Sequence, residues 1–261
     1  MFKAWKSEKG FTVALTFSFV RVGGMRRVKF LLLVFLGVGL AAGAEPERYE
    51  TRTRHDPNGI GRFYLGREIA QVMGHQGADW LERPERGEEE NPDKLIALLA
   101  LKPGEVVADI GAGTGYISWR MAKEVAPGGK VFAVDIQQEM LDLLEVKMKQ
   151  RGVTNVVMAL GTETDPKLPP GSVDLAIMVD VYHEFSEPQK MMENIVKALK
   201  PGGRVAFVEY RAEDPNVPIK QVHKMSEAQV KKEAEAVGLK WEKTLPGLPR
   251  QHLIIVRKPA P

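Results

Sequence analysis

Three alternate glycines, Gly111, Gly113 and Gly115, follow the apolar run Val106–Ile110 and precede the short polar start of a helix. Glycines so placed allow a tight turn and let a ligand approach the backbone with no Cβ in the way. Amides at the start of the following helix favour negative or electron-rich groups. Twenty residues after Gly115, Asp135 closes a second apolar run. A carboxylate at that place can accept both hydroxyls of a ribose. This order of strand, loop, helix, strand and acid points to a nucleoside-bearing ligand. The groups suited to acid–base work cluster further on in Asp180-Val-Tyr-His-Glu-Phe, where Asp180, Tyr182, His183 and Glu184 end another apolar run. Glu209 and Tyr210, at the end of the next run, are candidate substrate contacts.

The glycine spacing narrows the nucleoside. A dinucleotide fingerprint calls for G-x-G-x-x-G, whereas Tyr116 stands where the third glycine belongs. Asp109, two residues before Gly111, would repel a pyrophosphate and suits a cationic ligand carrying an ammonium group and a sulfonium. No Gly-Lys-Ser/Thr follows, so a P-loop is excluded. The chain has no cysteine, which removes disulfides, thiolate metal sites and cysteine nucleophiles together. Asp180 and Glu209 alone make a weak magnesium site, and no metal is expected.

Continuous apolar runs at 105–110, 130–135, 154–160, 173–179 and 204–210 predict strands covered on both faces. Helices are predicted between them at 114–125, 137–151 and 186–199, with Ser186/Gln189 and Ser226/Gln229 as capping boxes. Asn91 and Pro92 open a helix whose buried side is Leu95, Ile96, Leu98 and Leu99. The alternation implies right-handed crossovers and an α/β, doubly wound, mostly parallel sheet. Lys240–Thr244 and Gln251–Arg257 flank a Pro/Gly turn and read as an antiparallel hairpin at its end. Ahead of the sheet, 45–61 reads as a polar linker, 62–74 as a helix ended by Gly74, and 75–90 as a charged connector.

The net charge of +3 is unevenly placed. Seven of the 37 Lys/Arg and one of the 34 Asp/Glu lie in residues 1–44, leaving 30 basic and 33 acidic residues in 45–261. The body therefore lacks the electrostatic footprint of a nucleic-acid binder. The leader itself reads as a targeting segment. Arg26, Arg27 and Lys29 precede the apolar run Phe30–Ala42, and Ala42-Gly43-Ala44 fits a cleavage site before Glu45. Export is the expectation, with a membrane association through residues 26–44 as the competing one. Met25 is an alternative start, and a non-functional leader would leave the protein cytoplasmic.

In order and spacing, VVADIGAGTGYIS, VFAVDIQQEM, LGTETDPKLP, VDLAIMVDVYHEF and LKPGGRVAFVEYR resemble the successive motifs of class I S-adenosylmethionine-dependent methyltransferases. The resemblance covers about residues 91–258 and is nearest the small-molecule group that includes quinone-biosynthesis enzymes. It implies a seven-stranded sheet with the hairpin strand last, with S-adenosylmethionine as methyl donor and S-adenosylhomocysteine as product. It places Asp109, Gly111 and Gly113 at the methionine part, Asp135 at the ribose, Ile136 on the adenine, and Thr162 and Glu163 near the adenine amino edge. The segment from Asp180 to Glu184 would face the methyl group. One position departs from the pattern, because many relatives carry Asp where this chain has Thr162.

For the acceptor, His183 is the candidate base or orienting residue, with Tyr182 and Glu184 beside it. A base is needed only where the acceptor must lose a proton. No Asn/Asp-Pro-Pro-Tyr/Phe segment ends the fourth strand, which argues against methylation of DNA amino groups. A small-molecule acceptor is expected, its methylated atom left open. Tyr64, Met73, His75, Trp80 and Arg83 read as a lid over the site, with His75, Trp80 and Arg83 as substrate contacts. The competing reading leaves Trp80 as surface packing and 84–90 as a solvated charge run. Rival functions are a catalytically silent S-adenosylmethionine-binding protein and a nicotinamide-dependent oxidoreductase.

Overall fold

The computed structural model describes residues 48–260, so the leader expected at 1–44 lies outside the described residues. Three antiparallel strands come first: β1 (Tyr49–Thr51), β2 (Gly59–Tyr64) and β3 (Arg67–Ala70). Within 48–74 this corrects the linker and helix expected over 45–74, whose first three residues lie outside the described ones. Leu65 and Gly66 both have positive φ, 49° and 94°, and join Tyr64 to its partner Arg67 as a two-residue hairpin. Positive φ at both central residues is what a type I′ turn requires. The apolar spacing that suggested a helix instead serves two short strands, with Phe63, Tyr64, Ile69 and Ala70 buried.

A 3₁₀ turn (His75–Gly77) leads into α1 (Ala78–Leu81), α2 (Arg86–Glu90) and α3 (Pro92–Leu99). Asn91 caps α3 by accepting the Lys94 amide at 3.1 Å. The main sheet then alternates with helices: β4 (Val106–Ile110), α4 (Ser118–Glu124), β5 (Lys130–Asp135), α5 (Gln138–Arg151) and β6 (Val156–Leu160). After these come β7 (Val173–Val179), α6 (Pro188–Ala198), β8 (Leu199–Tyr210), α7 (Glu227–Glu235), β9 (Lys240–Leu245) and β10 (Gln251–Arg257). The strand order is β6-β5-β4-β7-β8-β10-β9, with β10 antiparallel to both neighbours and the other pairings parallel. The expected sheet is thus present, hairpin strand included. Ser226 caps α7 through the Gln229 amide, as expected. Ser186 does not cap α6: Pro188 opens that helix, and the Gln189 amide donates to the Tyr49 hydroxyl at 3.2 Å.

Strand side chains point to alternate faces, so each strand feeds two cores. In β7, Ala176 and Met178 join Met191, Met192 and Ile195 of α6, while Leu175 and Ile177 join Leu95, Leu99 and Met121 of α3 and α4. A one-residue slip would send every side chain to the opposite face and undo the packing of both layers, which fixes where the strand ends fall. Strand order reverses at β4, between β5 and β7, and ligands in such sheets sit at the carboxyl ends beside that point. No helix among the described residues is long and apolar enough to cross a membrane.

Candidate active site

A cavity of about 550 Å³ opens at the carboxyl ends of β4, β5, β7 and β8, within the usual size of small-molecule sites. One wall is the glycine loop. The Gly111 and Ala112 amides both donate to the Val134 carbonyl, at 2.8 and 2.9 Å, and the Gly113 amide donates to Asp135 Oδ2 at 2.9 Å. Asp135 Oδ1 accepts the Gln137 amide at 2.9 Å. Gly111 and Gly113 have φ of 73° and 53°. A Cβ at Gly111 would lie 2.5 Å from Val181, and one at Gly113 would lie 2.6 Å from Leu81. Both positions therefore require glycine.

Asp135 faces the cavity, and burial raises its pKa against the amides of Gln137, Gly113 and Ile136. Ile136, 39% exposed, and Met140 offer apolar surface beside it, and Glu163 also lines the cavity. This donor set fits a ribosyl nucleoside: a carboxylate with acceptor capacity to spare, next to an apolar face for the base.

A second part of the lining is polar. His183 and Glu184 sit on a 3₁₀ turn (Tyr182–Glu184) behind β7. His183 is 2% exposed, and its Nδ1 lies 2.6 Å from Glu209 Oε2, while Glu209 Oε1 accepts the Tyr182 amide at 3.0 Å. With the carboxylate accepting, Nδ1 carries the proton and Nε2 presents its lone pair. His183 Nε2 is 3.1 Å from His223 Nδ1, in a second 3₁₀ turn (Gln221–His223). Glu184 Oε2 accepts the Met73 amide at 3.3 Å. Burial pushes the Glu184 carboxyl up to about 7, and burial with the neighbouring His183 pushes the His223 ring down to about 4.

Asp180 (φ 50°) is half-buried at the cavity wall, with Oδ1 itself buried and unpartnered and Oδ2 accepting from the Gln251 side chain. Burial, then Glu90 and Glu209, hold its carboxyl well above the usual range. Tyr210 donates to Glu90 at 2.9 Å.

The cavity thus brings together Gly111, Gly113, Asp135, Ile136, Glu163, Asp180, His183, Glu184, Trp80, Arg83 and Tyr210. Other expected site residues lie off it. The Asp109 carboxylate, 3% exposed, accepts the Ser118 hydroxyl at 2.6 Å inside the domain, and burial pushes it up to about 6. Gly115 packs on Leu144 of α5. Thr162 is exposed and organises its own turn by accepting the Asp165 amide at 3.1 Å. The Tyr182 ring is fully buried, edge-on to Phe207 at 4.9 Å, so it packs the core instead of facing a reactant. Glu209 acts from behind His183. His75 is held outside, its amide donating to Gln137 Oε1 at 2.8 Å.

Arg83 reaches the cavity with its charge already paired to Glu89 and Glu90, at 2.8 and 2.6 Å, and its plane over Trp80 at 3.8 Å. The 84–90 run is not wholly solvated, since Arg86 and Glu90 are buried and paired at 2.6 Å. Sequence reasoning missed His223, whose partner lies forty residues away, and missed Gln137, which ties Met73 and His75 to the end of β5.

A family model described as a methyltransferase domain matches residues 101–249, more than half of the chain. An arsenite methyltransferase of Halobacterium salinarum is 34% identical over 42% of this chain and 28% of its own length. A nocamycin O-methyltransferase of Saccharothrix syringae is 30% identical over 44% of this chain and 41% of its own. A ubiquinone/menaquinone biosynthesis C-methyltransferase of Cupriavidus taiwanensis is 28% identical over 44% and 47%. The chain therefore spans less than half the length of these curated relatives. Among solved structures, a SAM-dependent methyltransferase from Aquifex aeolicus superposes with a TM-score of 0.68 at 27% identity, covering 72% of this chain and 100% of that one. Family match, relatives, sheet order and a cavity walled by Gly111, Gly113 and Asp135 agree: the chain belongs to the S-adenosylmethionine-dependent methyltransferases.

Proposed function

We propose that this methyltransferase transfers its methyl group to a small molecule held inside the cavity, by in-line displacement between the Asp135 wall and the His183 end. The observation that carries this reading is the cavity itself. One volume of about 550 Å³ is lined both by the nucleoside-type residues Gly111, Gly113, Asp135 and Ile136 and by a buried, carboxylate-backed histidine. Bound S-adenosylmethionine supplies a methyl on a positively charged sulfur, already activated toward a nucleophile. The chain's own task is then alignment and exclusion of water. Asp135 offers its remaining acceptor positions to hydroxyls. Ile136 and Met140 offer apolar surface to a flat base. Val72, Trp80 and Leu81 add apolar lining. His183, fixed by Glu209, engages the acceptor.

The testing experiment incubates the protein with methyl-labelled S-adenosylmethionine and a metabolite extract, then follows label by mass. Label in a low-mass product, lost in His183→Ala, is the expected result. Label confined to macromolecules, or donor binding with no transfer at all, overturns the reading. The leader reading adds a location at or beyond a membrane through residues 26–44. A native N-terminus at Glu45 supports export, and an intact leader opposes cleavage.

A further inference from the structure

His183, Glu184 and His223 stand as a triangle on the cavity wall. His183 Nε2 lies 3.1 Å from His223 Nδ1, and each of these nitrogens lies 3.9 Å from Glu184 Oε1. We propose that these three side chains form a binding site for one divalent transition-metal cation, such as zinc, cobalt, iron or manganese.

The dimensions carry the first part of the argument. A triangle with those sides has a centre about 2.1 Å from each corner, and metal–nitrogen and metal–oxygen bonds to zinc are about 2.0–2.2 Å. Three atoms therefore already surround a point at bonding distance, with no movement of the backbone; the cation replaces the proton that His223 Nδ1 shares with His183 Nε2, and His223 then carries its proton on Nε2.

The second part lies behind the ligands. Histidines that bind metals almost always give their other ring N–H to a carboxylate or carbonyl, which fixes ring orientation and tautomer. His183 does this with Glu209, at 2.6 Å, so its Nε2 lone pair points away from Glu209 toward the triangle. Glu209 is itself anchored by the Tyr182 amide. Glu184 is held through its other oxygen, Oε2, by the Met73 amide, which leaves Oε1 for the cation. Two of the three ligands are thus positioned by contacts that leave the binding atom unused.

The third part is access. All three residues line the cavity, and the His223 side chain is 25% exposed. A cation here keeps coordination positions open toward the cavity, the arrangement of sites that take a further ligand rather than of closed structural ones. Two imidazoles and one carboxylate suit zinc and its first-row neighbours; magnesium and calcium prefer all-oxygen shells. The site's geometry belongs to three side chains of this chain alone, and it bears on the methyl-transfer reading at one atom: with the cation bound, His183 Nε2 is a metal ligand and His183 meets an acceptor only through the cation's open positions.

The test uses the full chain, stripped of metal with a chelator and titrated with Co²⁺, whose visible spectrum reports its ligands, followed by competition with Zn²⁺. One equivalent of Co²⁺ with a ligand-field band, displaced by Zn²⁺, is expected. His223→Ala and Glu184→Gln should each weaken binding at least tenfold. Glu209→Gln, which touches no metal, should weaken it about 10- to 100-fold. Calorimetry with S-adenosylhomocysteine on the same samples separates the two readings, because its affinity should stay within about threefold in His223→Ala. Thermal melting checks that each variant is folded, and His223→Gln replaces His223→Ala if the latter is not. Binding well below one equivalent, or undiminished in a folded His223 variant, overturns the site.

Discussion

Asp135 Oδ2 accepts the amide proton of Gly113 at 2.9 Å, so the end of β5 and the glycine loop behind β4 are one unit. The other oxygen accepts from Gln137. A carboxylate offers about four acceptor positions, so these amides leave acceptor capacity for a ribose hydroxyl. Asp135→Ala removes the acceptor and a brace of the loop together. Calorimetry with S-adenosylhomocysteine should show affinity reduced by roughly 10- to 100-fold, the usual weight of a hydrogen bond to a charged group. Far-UV circular dichroism should stay native. Unchanged affinity would place the ribose elsewhere.

Glu209 touches no cavity atom and works by holding His183. Glu209→Gln keeps the shape and removes the charge. Turnover should fall by one to two orders of magnitude while KM for the methyl donor stays within about threefold. A donor KM that moves as much as kcat would show that the residue braces the fold and does not orient His183.

Asp109 gives a pH signature of stability. Its folded pKa, about 6, lies above the ordinary 3.8, so the folded state holds the proton more tightly than the unfolded chain. Its unfavourable ionisation is absent below pH 4, sets in as pH rises toward 6 and is complete above that. The shift of about two units corresponds to on the order of 3 kcal/mol. Asp109→Asn should match the wild type in urea unfolding at pH 4 and exceed it by on the order of 2–3 kcal/mol at pH 8. Parallel curves across that range would refute burial as the cause.

Arg67 of β3 meets Glu233 of α7 in a buried bidentate pair at 2.8 and 3.0 Å, and also donates to the His183 carbonyl at 3.0 Å. Arg67→Met leaves Glu233, fully buried, without its counter-charge. Breaking such a pair costs roughly 3–5 kcal/mol. Removing both charges in Arg67→Met/Glu233→Leu should restore much of the loss, as thermal and urea unfolding will read. A double variant no more stable than the single one would assign the loss to the His183 contact.

The main sheet was legible because strands covered on both faces leave unbroken apolar runs such as Leu175-Ala-Ile-Met178, and their ends mark the cavity. Asp135 and His183 could be found for that reason. The small sheet was not, because Phe63, Leu65, Ile69 and Val72 fit a helical stripe as well as a hairpin; Gly66 after Leu65 was the available cue. That the Arg83 charge is already paired was not legible, because the sequence does not reveal that Glu89 and Glu90 fold back on it. His223 carried no local pattern at all. Its role arises only where β7 and the segment after β8 converge in space.

The segment from Met73 to Leu81 touches both ends of the cavity. The Met73 amide holds Glu184, and Leu81 sits directly on Gly113. One stretch of about nine residues therefore reports to the acceptor end and to the donor loop together. Redesign of acceptor choice by exchanging this stretch would carry donor affinity along with it. On the proposed placement of the acceptor the two preferences are inherited jointly, and Pro218 and Ile219, which line the same cavity outside this stretch, are the positions to vary for new acceptors.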